Sequence, residues 1–128
     1  MTPAHLHLLL NHVPTIGFGL GLGLFVASLL AKSEDLKRAS LVVFYIIALV
    51  AIPAYLTGNA ANFVLQNEPA VSQDVVAAHQ DAAMLALVPM EVTGLLAWFA
   101  LWRFRRWHVV ALLVLSVLTI GLMARAAT

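Results

Sequence analysis

An all-α bundle of four membrane-spanning helices, running up and down with both termini on the non-cytoplasmic side, is the fold this sequence predicts. Three observations predict it. Hydrophobic residues make up 62% and charged residues 10% of the 128 positions, whereas soluble chains carry roughly 45–50% and 25%. The apolar residues fall into four stretches, each near the ~20 residues that cross a bilayer core. The basic residues gather in two of the connections between those stretches. Backbone N–H and C=O groups in lipid must pair within their own segment, so the stretches are helices and four of them form a bundle. The length admits a single domain, residues 1–128.

The first stretch, Val13–Ala31, contains no charge, and the helix is expected over 13–31. Pro14 suits a first helical turn and biases Val13 toward extended geometry. The sequence ahead of it has no basic leader region and no small-residue cleavage site follows, so this reads as a retained helix. The second stretch, Leu41–Leu56, continues through the polar Thr57-Gly58-Asn59 toward Leu65, and the helix is expected over 41–62. Ser72-Gln73-Asp74 reads as a helix start with its acid at the positive end of the dipole. That places the third helix at 75–102, broken in its apolar part only by Glu91. The fourth, built on Val109–Ala124, is expected over 108–125.

Six of the seven Lys/Arg lie in Lys32–Arg38 and in Arg103–Arg106, leaving only Arg125 elsewhere. The bias of basic residues toward cytoplasmic loops puts both connections inside and the termini and the helix 2–3 connection outside. Trp98, Trp102 and Trp107 crowd the same boundary, where amphipathic rings settle, and His108 reads as another interfacial polar residue.

Composition also excludes functions. A net charge of +1 does not suit a nucleic-acid binder that works by neutralising phosphates. The absence of cysteine removes disulfides, thiolate metal sites, covalent haem and cysteine nucleophiles. Gly17–Gly23 has dinucleotide-like spacing but lies inside a spanning helix after no strand, so that reading fails on context. No Ser-His-Asp set, zincin motif or catalytic carboxylate pair is present, and no independent catalytic activity is expected.

Four of the five histidines, His5, His7, His12 and His79, fall on the outward side. His12 and His79 sit at matching depth at the starts of helices 1 and 3. At about 100° per residue, His5, His12, Gly19 and Gly23 share one stripe, and His79, Ala83, Ala86 and Met90 share another. Two inward imidazoles above small-residue clearance are what a haem b needs for axial ligation from both sides. In that reading Gly19 and Ala83 give room, and Asn59, three residues before Asn62, orients an imidazole N–H. The function would be electron transfer, with redox-complex subunits, a quinone or a cytochrome as partner.

Two alternatives use the same residues. Gly17, Gly19, Gly21 and Gly23 form two overlapping GxxxG patterns, the signature of close helix packing in lipid; this reading gives a structural or accessory subunit of a membrane complex with no cofactor. The second is a transition-metal site of His5, His7, His12, His79 and Asp81, since imidazole and carboxylate suit such ions. His5 and His7 point about 200° apart on a helix, so both reach one ion only if that segment is not helical.

Glu91 lies twelve residues from both His79 and Arg103, about 18 Å along the helix from each and near the bilayer centre. A charge there is costly and normally faces the bundle interior. The expectation is a neutral acid, either in a polar clasp between helices 2, 3 and 4 that includes Ser116, or as a proton relay or quinone contact.

With these residues in view, the sequence resembles a family of small four-helix bacterial membrane proteins of the domain-of-unknown-function type. The resemblance rests on His5-Leu6-His7, Asn11-His12-Val13-Pro14, Thr57-Gly58 and His79-Gln80-Asp81-Ala82-Ala83. It implies four spans, an inner-membrane address, and one outward site shared by His12, Thr57, Gly58 and His79. Asn59 and Gln80 stand where that pattern leads one to expect acids, which lowers the negative charge a divalent ion would want.

Overall fold

A computed structural model describes residues 12–65 and 73–127. Four helices account for nearly all of them: α1 (His12–Ala31), α2 (Glu34–Leu65), α3 (Gln73–Trp102) and α4 (Arg106–Ala127). The all-α four-helix bundle is thus the observed architecture, with no strand among the described residues. Each helix contains a segment long and apolar enough to cross a membrane: His12–Ala31, Glu34–Thr57, Gln80–Trp102 and Arg106–Arg125.

The turn between α1 and α2 explains why α2 begins at Glu34 and not at the first apolar residue, Leu41. Lys32 adopts a left-handed φ of 52°, and the Ser33 N–H donates to the Ser28 carbonyl at 3.0 Å, the bond that closes a helix C-terminus in the Schellman manner. Ser33 then caps α2: its hydroxyl oxygen accepts the Leu36 N–H at 3.2 Å. Glu34 and Asp35 occupy the first turn, where negative charge complements the dipole. This polar start lies outside the apolar core of the span, so hydropathy alone does not mark it. Pro53 and Pro89 both lie inside continuous helices, which membrane helices tolerate.

The helices are arranged in a ring. α1 packs on α2, α2 on α3, α3 on α4, and α4 more lightly on α1, while the diagonal pairs α1–α3 and α2–α4 make no close backbone approach among the described residues. Ridge positions show the antiparallel register: Gly17 faces Ile47, Gly21 faces Phe44, and Gly94 faces Ala48. At the α1–α2 seam, Phe18, Phe25 and Phe44 are fully buried. The Phe18 and Phe44 rings lie 5.0 Å apart at 53°, and Phe25 and Phe44 lie 6.4 Å apart at 61°, both favourable tilted geometries. Across α2, α3 and α4 the core continues through Ala51, Ala86, Met90, Ala97 and Leu112.

Polar side chains within the core satisfy themselves on their own helices. The hydroxyls of Ser28, Thr93 and Thr119 donate to the carbonyls of Phe25, Pro89 and Leu115 at 2.6, 2.6 and 2.7 Å. Such back-bonding removes the desolvation cost of a buried hydroxyl without linking two helices. The outward faces carry large apolar side chains, among them Ile16, Leu20, Leu30, Leu85 and Val110, all more than half exposed. A surface of this kind is consistent with a multi-pass membrane protein.

Candidate functional site

His12 opens α1 and is exposed. Gly19 and Gly23, one helical face with His12, are exposed too, and a Cβ built on either would meet nothing within 4 Å. The stripe expected to give inward clearance beside His12 therefore faces away from the other helices. The cause is the aromatic seam. Burying Phe18 and Phe25 against Phe44 turns the alternate glycines, Gly17 and Gly21, toward α2, where they make room for Ile47 and for Phe44 and Val43. Of the two overlapping GxxxG patterns, one packs within the chain and the other lies on its surface.

On α3 the expected stripe does face inward. Ala86 and Met90 are buried and Ala83 is half-buried, and position 79 falls in the same helical register. The side chains of His79, Asn59 and Asn62 lie outside the described residues, as do His5 and His7 altogether. Asp81 is exposed. Residues 12 and 79 belong to the diagonal pair α1 and α3, at the same end of the bundle. Among the described residues no group of three or more His, Asp or Glu side chains converges as a metal site would require.

Glu91 lies at the border of the interior face expected for it. The interior of α3 is marked by Ala86, Met90, Thr93 and Ala97, all buried. Glu91 is flanked on one side by Val88 and Leu95, which are 56% and 54% exposed. On its other side Leu87 and the buried Gly94 pack toward the core, so it stands at the edge between the packed and exposed faces of α3. Its Oε1 is nevertheless shut off from the surface and has no hydrogen-bond partner. The clasp with Ser116 does not form: the buried Ser116 hydroxyl donates to the Leu112 carbonyl of its own helix, and the Glu91 Oε1 has no hydrogen-bond partner. Among the described residues, that Oε1 is the buried side-chain oxygen left without a hydrogen-bond partner.

No known protein-family description matches this sequence, and no curated protein or solved structure matches it either. The chemistry must therefore be argued from the residues themselves.

The opposite end of the bundle holds a cluster that the sequence did not reveal. His108, expected at the interface, is 3% exposed. Its Nδ1 accepts the Arg105 backbone N–H at 2.9 Å, and the His108 backbone N–H donates to the Arg105 carbonyl at 3.0 Å. This is half of a capping box, with imidazole in place of the usual Glu or Gln. Accepting at Nδ1 leaves the ring proton on Nε2. The imidazole stacks on Trp107, ring centroids 4.0 Å apart, and lies 5.6 Å from the Phe104 ring. Lys37 of α2 completes the cluster from across the bundle: its Nζ lies 3.9 Å above the Phe104 ring and pairs with Glu34 at 2.9 Å. Only tertiary structure brings residues 37 and 104 together, and no local signal announces it.

This geometry gives a direct expectation. His108→Ala removes the acceptor that caps α4 and should cost about 1 kcal/mol, read as a lowered unfolding midpoint in detergent. Trypsin should also cleave faster at Arg103, Arg105 and Arg106. His108→Gln, which can still accept the N-cap N–H, should recover part of the loss.

Proposed function

We propose that this chain is a membrane subunit that works by lateral association, with a second copy of itself as partner at the level of Glu91. The observation that carries the reading is the Glu91 Oε1, buried and without a hydrogen-bond partner at mid-span. In hydrocarbon such an oxygen costs free energy until a donor reaches it. Because it is closed off within one chain, a second copy reaches it once the Glu91 side chain swings outward past Val88 and Leu95. A neutral carboxyl both donates and accepts, and so can pair with its own kind. Two copies inserted in the same orientation hold Glu91 at the same depth, so a two-fold axis along the membrane normal can bring the two acids face to face. The outward Gly19–Gly23 stripe supports lateral packing on another face, since small residues let backbones approach closely. Under this reading the chain has no catalytic centre of its own, and its basic end faces the cytoplasm.

The test is co-isolation from one membrane of two differently tagged copies. Recovery of both tags together, lost with Glu91→Leu, supports the reading; a wild-type chain that always extracts alone, or with equal partnership in the variant, ends it.

A second reading keeps the haem b, held by His12 and His79, for electron transfer with a quinone or cytochrome. It rests on the placement of residues 12 and 79 at the same end of two parallel helices, and it needs α1 to turn its outward His12 face toward α3. Expression with added haem should then give a Soret band and low-spin bis-imidazole bands, each abolished by His12→Ala or His79→Ala and kept in His108→Ala. Purified protein without a pyridine haemochrome excludes it. Elemental analysis of the same sample addresses a transition metal held by the outer histidines.

A further inference from the structure

The ends of the bundle differ sharply in charge. Lys32, Lys37, Arg38, Arg103, Arg105 and Arg106 lie at one end against Glu34 and Asp35, while the described cation at the other end is Arg125, with Asp74 and Asp81. Within the cationic end only Lys37 has an ion-pair partner among the described residues. Arg103, Arg105 and Arg106 are exposed, and the first turn of α4 contains no acid.

The turn that carries these arginines is fixed in shape. Phe104 is turned in beneath Lys37 and beside His108, and the Arg105 N–H is taken up by His108. With Phe104 held inward, the three guanidinium side chains on either side of it are left outward. They are bracketed in sequence by Trp102 and Trp107, which are 77% and 55% exposed. Exposed indoles at the end of a spanning helix settle at the headgroup level. The arginines between them then stand at the depth of the lipid phosphates, and guanidinium matches phosphate oxygens with paired N–H donors.

We propose that the α3–α4 turn binds the headgroup phosphate of an anionic phospholipid, with Arg103, Arg105 and Arg106 as donors and Trp102 and Trp107 resting on the lipid beside it. The lipid is the occupant because the cations come framed by interfacial indoles, which a soluble acidic partner has no use for. The charge of the surface complements that of an anionic leaflet.

All three tryptophans lie at this end, so their fluorescence reports on it directly. The full chain is reconstituted in vesicles of phosphatidylcholine containing increasing fractions of either brominated phosphatidylglycerol or brominated phosphatidylcholine. The anionic lipid should quench at about threefold lower fraction or better. The Arg105→Gln/Arg106→Gln double variant should bring the ratio near one, with circular dichroism confirming unchanged helix content. Millimolar inorganic phosphate should leave the wild-type ratio unaltered. Equal quenching by the two lipids in the wild type overturns the proposal, as does an unchanged ratio in the folded double variant. Displacement by inorganic phosphate overturns it too, because the turn would then read free phosphate.

Discussion

Gly94→Ala is expected to destabilise the bundle by about 1–3 kcal/mol, the range for forcing atoms into a packed core. The added methyl would run into the Cβ of Ala48 and lie 3.4 Å from the Phe44 carbonyl oxygen. Neither is the end of a flexible chain, so relief requires α2 and α3 to move apart, and with them the pairs that depend on their register. Tyr45 and Trp98, whose rings stack at 6.5 Å, should lose that contact, and a shift in tryptophan emission reports it. The same substitution elsewhere should act differently. Gly17→Ala meets the Cδ1 and Cγ1 atoms of Ile47, which can rotate, so its cost should be smaller. Gly19→Ala and Gly23→Ala meet nothing within 4 Å and should stabilise by up to about 1 kcal/mol through helix propensity alone. Unfolding midpoints of the four variants in one detergent should follow that order. Equal losses at Gly19 and Gly94 would mean that α1 is rotated from the position described.

That ordering marks the boundary of what the sequence could tell. Four spans were legible because each needs only an uninterrupted apolar run, and the inward stripe of Ala86 and Met90 was legible because Ala-rich turns pack wherever helices meet. The rotation of α1 was not. A helix in lipid is apolar all round, so its pattern does not distinguish the side that meets protein from the side that meets lipid. Gly17–Gly21 and Gly19–Gly23 are equivalent in the sequence; the choice between them is made by Phe18 and Phe25 finding Phe44 on the next helix. The same ambiguity concealed Glu91. Its mid-span depth followed from counting residues, but its place at the edge beside Val88 and Leu95, with no hydrogen bond to Ser116, depends on how α3 rotates to seat Gly94 against Ala48. The start of α2 was missed for another reason: Ser33, Glu34 and Asp35 form a capped first turn in the polar zone, where hydropathy is silent. The burial of His108 needed Lys37 and Phe104 to meet across the bundle.

Glu91→Leu should change two measurements in opposite directions, and this separates association from simple packing. In the isolated chain the substitution replaces a buried oxygen that has no hydrogen-bond partner with hydrocarbon, which should raise stability by about 1–3 kcal/mol. In the membrane it removes the group that pairs two copies. An interhelical hydrogen bond in lipid is worth about 0.6–2 kcal/mol, so the dimer dissociation constant should rise by roughly 3- to 30-fold. Energy transfer between donor- and acceptor-labelled copies, measured against the protein-to-lipid ratio, reads that constant; thermal unfolding in detergent reads the first effect. Glu91→Gln discriminates further. A carboxamide donates and accepts as a neutral acid does, so it should hold association within a few-fold of wild type if the pairing is a hydrogen bond between neutral groups. A glutamine variant as weak as leucine would show that the proton itself is required, and the relay reading of Glu91 would gain over the pairing one. Should Glu91→Leu instead destabilise the single chain and leave energy transfer unchanged, the carboxyl is bound within its own bundle, and association must rest on some other face, with the exposed Gly19–Gly23 stripe of α1 the next to vary.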